Sequence, residues 1–154
     1  MPSSVPGTGE KVTVRYRNVL VPTEGSKGAR RGMEHALDIA EQFGATIHVL
    51  HVVDERNTGG TPALSSHELA IEKIEEEGDR IMAEVVAAAE SRDLDASATC
   101  IRGVPHDVIL QYAAEHGIDL IVMGIHGEER SARPHVGSTT DRVLRTASIP
   151  VLPV

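Results

Sequence analysis

Apolar residues along the chain fall into short solid runs separated by longer stretches in which they recur every three or four positions. The first run, Asn18-Val19-Leu20-Val21-Pro22, ends in proline before Glu24-Gly25-Ser26, the pattern of a buried strand entering a turn. From Ser26 to Phe43, Ala29, Met33, Ala36, Leu37 and Ala40 share one helical face, with Ser26 placed to cap the start and Gly44 to stop the end. Ala45 to Val53 is β-branched and apolar apart from His48 and His51, and reads as a second strand largely covered on both faces. The longest helix is predicted from Ser65 or Ser66 to about Arg92. It sets Leu69, Ile71, Ile74, Ile81, Met82, Val85, Val86 and Ala89 on one broad face and leaves Glu75 to Glu77 on a solvated one.

Ala96 to Ile101 predicts a third strand ended by Gly103, and Pro105 takes a first helical position ahead of Val108, Ile109, Tyr112 and Ala113. Leu120-Ile121-Val122-Met123 reads as a buried strand stopped at Gly124. Ser138 to Thr146 forms a short helix carrying Val143 and Leu144, and Pro150 to Val154 closes the chain as a strand. Strands separated by helices need crossover connections, and near-continuous apolar strands need cover on both faces. The expected fold is therefore doubly wound α/β, a single five-stranded parallel sheet with helices on both faces. Such sheets take ligands beyond the carboxyl ends of their strands, so the loops after Val21, Val53, Ile101 and Met123 are where chemistry is expected.

At 154 residues the chain has room for one core, expected over residues 16–154 behind a flexible Gly/Pro/Ser-rich tail at 1–15. Its apolar runs fall far short of the roughly 18–20 residues that span a membrane. The first fifteen residues lack the basic start and apolar middle of a secretory signal. Together with a single cysteine, Cys100, which leaves no internal disulfide and no four-thiolate zinc site, this points to the cytoplasm and away from membranes. A net charge of -8 opposes binding to nucleic acid, as does having Tyr16, Phe43 and Tyr112 as the whole aromatic complement.

The chemically informative segment follows the fourth strand: Gly124-Ile125-His126-Gly127, nine residues, then Gly137-Ser138-Thr139-Thr140-Asp141 opening a helix. Glycines at 124 and 127 let backbone amides approach an anion, and the helix start aims unpaired N–H groups and a positive dipole end at the same place. Phosphate is the natural guest. The hydroxyls of Ser138, Thr139 and Thr140 either donate to it or, in the case of Ser138, cap the helix.

This G-x2-G-x9-G-[ST] pattern resembles the nucleotide-binding signature of the universal stress protein family. The resemblance runs from about Arg17 to Val154 through Pro22-Thr23, Leu50-His51-Val52-Val53-Asp54, Gly103-Val104-Pro105-His106 and Ile149-Pro150-Val151-Leu152-Pro153-Val154. It implies strand order 3-2-1-4-5 and ATP, or else AMP or another adenine nucleotide, across the ends of strands one and four, with magnesium or manganese carried in by the phosphates. On this resemblance Pro22, Thr23 and Glu24 border adenine and ribose, and the Val52 backbone bonds adenine. Met123, Gly124, His126, Gly127, Gly137, Ser138, Thr139 and Thr140 surround ribose and phosphates. Glu24 departs from the aspartate usual in nucleotide-binding members, and its extra methylene shifts the carboxylate. The insert Glu128 to Val136 is unusually polar, with Arg130 and Arg133 as either phosphate clamps or solvated loop residues. The family also implies a homodimer through Ile149 to Val154 and an unidentified client protein.

Competing readings of single residues are modest. A spacing of three sends His48 and His51 to opposite faces of a strand, which argues for packing or capping roles, and His106, His126 and His135 lack metal-ligand spacing. Cys100 reads as a small buried hydrophobe. The lysine of a P-loop is missing, and Glu24 and Asp141 are the acidic residues placed to position a water. Three functions stay open: an ATP-binding stress-response regulator; a slow ATP hydrolase or self-phosphorylating protein using Ser138 or a neighbouring threonine; and a dimeric interaction module without nucleotide.

Overall fold

The computed structural model describes residues 13–23, 27–54, 56, 64–125 and 137–154. Within them the elements alternate as β1 (Asn18–Thr23), α1 (Lys27–Phe43), β2 (Thr46–Val53), α2 (Leu64–Glu90), β3 (Ala96–Arg102), α3 (Pro105–Glu115), β4 (Leu120–Met123), α4 (Ser138–Thr146) and β5 (Val151–Pro153). All strand pairings are parallel and the order is β3-β2-β1-β4-β5, as expected. No helix among the described residues is long and apolar enough to cross a membrane.

Strand alternation sorts the core into two layers. Val19, Val21, Ile47, Val49, Leu120 and Val122 point to one face and meet Met33, Ala36, Leu37 and Ala40 of α1 with Met82, Val85 and Ala89 of α2. Leu20, Leu50, Val52, Ile121 and Met123 point to the other and meet Ile109, Tyr112 and Ala113 of α3 with Val143 of α4. Each large apolar side chain so buried contributes roughly 1.5–3 kcal/mol relative to exposure. Both faces of the sheet are thus covered, which explains why its central strands show no polar alternation.

Three helices end in the same way. Ala45, Leu94 and Ile118 donate backbone N–H groups to the carbonyls of Ala40, Ala89 and Ala113 at 2.9, 2.9 and 3.1 Å. The residue before each donor, Gly44, Asp93 or Gly117, has φ of 67, 59 or 61°. This is the Schellman closure, in which a left-handed residue lets the chain turn back and a buried apolar residue follows it into the next strand.

Some boundaries differ from expectation. α2 ends at Glu90 because its closure at Asp93 already consumes the last residues of the predicted helix. Leu69, expected on the apolar face of α2, is 65% exposed, whereas Ile71, Met82, Val85 and Ala89 are buried. β5 is shorter than Pro150 to Val154, although Val154 still donates to the Met123 carbonyl at 2.9 Å. Ser26, the expected cap of α1, and the segment 1–12 lie outside the described residues.

Candidate functional site

Strand order reverses between β1 and β4, and the hydrogen-bond ladders divide there. β1 pairs with β4 at Val19↔Leu120 and Leu20↔Ile121. Beyond those pairs β1 stays with β2 through Pro22↔Leu50 and Thr23↔His51, while β4 stays with β5 through Val122↔Leu152 and Met123↔Pro153. Pro22 carries no N–H and donates to neither neighbour. The ladders thus part at the carboxyl ends of β1 and β4, the switch point at which open α/β sheets characteristically form a ligand crevice.

The sequence-predicted residues that the structure describes fall on several elements. Pro22 and Thr23 end β1, and Thr23 is 3% exposed. Met123 ends β4 almost fully buried, and half-buried Gly124 follows it. Val52 lies on β2, the next strand over, with its side chain in the α3 and α4 layer. Gly137 to Thr140 enter α4: Ser138 is exposed, Thr139 half-buried and Thr140 buried. Glu24, His126 and Gly127, together with the polar insert Glu128 to Val136, lie outside the described residues.

The α4 entry corrects one alternative. Gly137, not Ser138, is the N-cap, Ser138 is the first helical residue, and no side chain caps the helix. Asp141 donates its N–H to the Gly137 carbonyl at 2.9 Å, the first hydrogen bond of the helix, so the amides of Ser138, Thr139 and Thr140 have no intrahelical acceptor. Gly137 has φ -64° and ψ 159°, an extended conformation open to any residue. Backbone geometry therefore gives no reason for glycine there. The Asp141 carboxylate accepts from Arg145 Nε at 3.0 Å, an exposed i,i+4 pair along the helix.

Two residues with no sequence-level assignment meet the chain just after β4. Gly32 of α1 lies so close to β4 that an added Cβ would sit 3.1 Å from the Gly124 nitrogen. Next to it Arg31 donates from Nη2 to the Ile125 carbonyl at 3.4 Å. A signal for Gly32 existed, because glycine inside a helix costs about 1 kcal/mol against alanine and calls for a packing reason.

His48 and His51 take opposite faces of β2, and His48 has His116 near it, with ring centroids 6.2 Å apart. His48 faces α3 and lies 3.0 Å from both Asn18 Oδ1 and the Tyr112 hydroxyl. Asn18 Nδ2 donates to the Gly117 carbonyl at 3.3 Å, which turns its oxygen to His48; His48 Nε2 then donates and Nδ1 accepts from Tyr112. Burial, with His116 nearby, holds the His48 pKa below its ordinary value and agrees with this neutral tautomer. His51 faces α2, is 1% exposed, and among the described residues has no hydrogen-bond partner for either ring nitrogen. No group of three or more His, Cys, Asp or Glu among the described residues is arranged to hold a metal ion. Cys100 is half-buried rather than fully buried, and burial, with Glu75 and Asp79 nearby, pushes its thiol pKa up, away from the reactive thiolate.

Comparison with known proteins agrees with this architecture. The model of the universal stress protein family matches residues 15–154. Universal stress protein MJ0531 of Methanocaldococcus jannaschii is 35% identical over 139 residues, covering 90% of this chain and 82% of that protein. The solved structure of MJ0577, from the same organism, superposes with a TM-score of 0.76 at 29% identity, covering 92% of this chain and 96% of that one. Universal stress protein UspA from Lactobacillus plantarum gives a TM-score of 0.74 at 27% identity, with 92% and 99% covered.

Proposed function

The chain belongs to the universal stress protein family, and on that premise we propose that it binds ATP in the β1–β4 crevice and acts as a nucleotide-dependent regulator, as a homodimer joined through β5. The observation that carries this reading is the start of α4. Three backbone amides without intrahelical acceptors follow a glycine whose conformation does not require glycine, at the carboxyl edge of a divided sheet. Such a helix start attracts phosphate through its N–H groups and its positive dipole end, and the hydroxyls of Ser138 and Thr139 add donors. A divalent cation would arrive with the phosphates, since magnesium keeps most of its waters and takes few protein ligands. Buried Pro22, Thr23 and Val52 would face the base and ribose, and Glu24 would stand beside them. A cytoplasmic setting and an as yet unidentified client protein go with the proposal; the single cysteine asks for no oxidising compartment.

The test is calorimetric titration with ATP and with AMP in magnesium buffer, on the native chain and on Gly137→Val. The native chain is expected to bind ATP and the variant to lose at least tenfold in affinity while keeping its circular dichroism, because a branched Cβ fills the approach to the amides. Equal affinity in a folded Gly137→Val protein would overturn the phosphate site.

A further inference from the structure

We propose that Arg31 reads the length of the phosphate chain, so that the crevice prefers a nucleoside triphosphate to a monophosphate; this rests on the nucleotide reading above. The second turn of α1 sends two consecutive arginines in different directions. Arg30 reaches α2 and pairs with Glu84 at 3.6 Å. Arg31 instead reaches the end of β4 and donates Nη2 to the carbonyl of Ile125, the residue after Gly124. Gly32 explains why it can: without a Cβ, α1 settles directly against the Gly124 backbone. The guanidinium is thereby brought to the lip of the crevice from the α1 side, while the free amides of α4 belong to an element on the opposite face of the sheet.

Among the described residues Arg31 has no carboxylate partner, in contrast to Arg30, Arg92, Arg102 and Arg145. One of its five N–H donors is used on a backbone carbonyl, which restrains the side chain without neutralising it. An anchored guanidinium with its charge uncompensated suits the oxygens of a polyphosphate, which it can grip with two parallel N–H groups. A monophosphate nucleotide held at the α4 start would leave Arg31 with its backbone carbonyl alone, whereas β- and γ-phosphates would offer it oxygens to grip. Arg31 would then raise affinity for ATP selectively and leave binding of base, ribose and the first phosphate unchanged.

Titration of ATP, ADP and AMP into the native chain, Arg31→Ala and Arg31→Lys tests this, with circular dichroism and melting curves to establish folding. Arg31→Ala is expected to weaken ATP by about 10- to 100-fold while AMP stays within about twofold. Arg31→Lys should recover part of the ATP affinity by restoring charge without the fork. An Arg31→Ala protein that binds ATP as tightly as the native chain, or that loses ATP and AMP equally, overturns the role of Arg31 and leaves the nucleotide site standing. A native chain that binds none of the three nucleotides overturns both.

Discussion

Gly78 and His51 form a contact that neither residue announces in the sequence. Glycine in a helix normally invites replacement, because alanine gains about 1 kcal/mol of propensity. In α2 the reverse is expected, since a Cβ at Gly78 would overlap the buried His51 imidazole of β2. Gly78→Ala should therefore lower stability by roughly 1–3 kcal/mol, the usual penalty of overpacking, read from the midpoint of urea unfolding. In a His51→Ala background the same change should cease to cost anything. A penalty that persists there would mean that the ring is not its cause. The sequence indicated the opposite orientations of His48 and His51, because a spacing of three in a strand settles which face each takes. It did not indicate that α2 would press a glycine onto His51, because that pairing joins residues from separate elements.

The helix ends divide along the same line. Gly44 was legible as a stop because glycine adopts positive φ without strain. Asp93 does the same structural work at φ 59° and gave no such signal, which is why α2 was expected to run on to about Arg92. An aspartate held in the left-handed region stores strain of roughly 1 kcal/mol that glycine would not. Asp93→Gly is accordingly expected to stabilise the protein by up to about 1 kcal/mol, seen as a higher melting temperature, and a fall would show that the carboxylate makes a compensating interaction. Leu69 teaches the converse. Its helical phase reads as apolar, yet it is 65% exposed, because phase along a helix does not say where along its length a neighbour lies.

At the scale of the molecule, β5 is an edge of the sheet with no further strand beside it among the described residues, and its hydrogen-bond directions define what a partner would meet. Pro150 and Val154 direct their bonding groups to β4: Ile121 donates to the Pro150 carbonyl at 3.1 Å, Val154 donates to Met123 at 2.9 Å, and Ile125 donates to Val154 at 2.7 Å. Alternation along a strand then turns Val151 and Pro153 outward, and proline has no N–H. Val151 is the single outward donor of β5. In the proposed dimer, two copies of Val151 facing each other across a two-fold axis would exchange two hydrogen bonds, with apolar contact supplying the rest. Val151→Pro removes that donor without disturbing the ladder to β4. It is expected to convert a dimer into a folded monomer of about 16.5 kDa by light scattering, and a variant that keeps the dimer mass would rule out strand pairing at this edge.

Sequence alone determined the element order, the parallel sheet with cover on both faces, and the G-x2-G-x9-G-[ST] segment, because periodicity, turn residues and motif spacing are properties of neighbours along the chain. The resemblance carried by those residues supplied the strand order that the structure shows. Tertiary structure decided what depends on distant segments meeting. The division of the ladders between β1 and β4 arises from strands about a hundred residues apart in the chain. The role of Gly137 as N-cap, the approach of Gly32 to Gly124, the reach of Arg31 to Ile125 and the outward donor of Val151 follow from packing and register. A local pattern states what each residue prefers, whereas only the assembled sheet states which preferences are met by a partner.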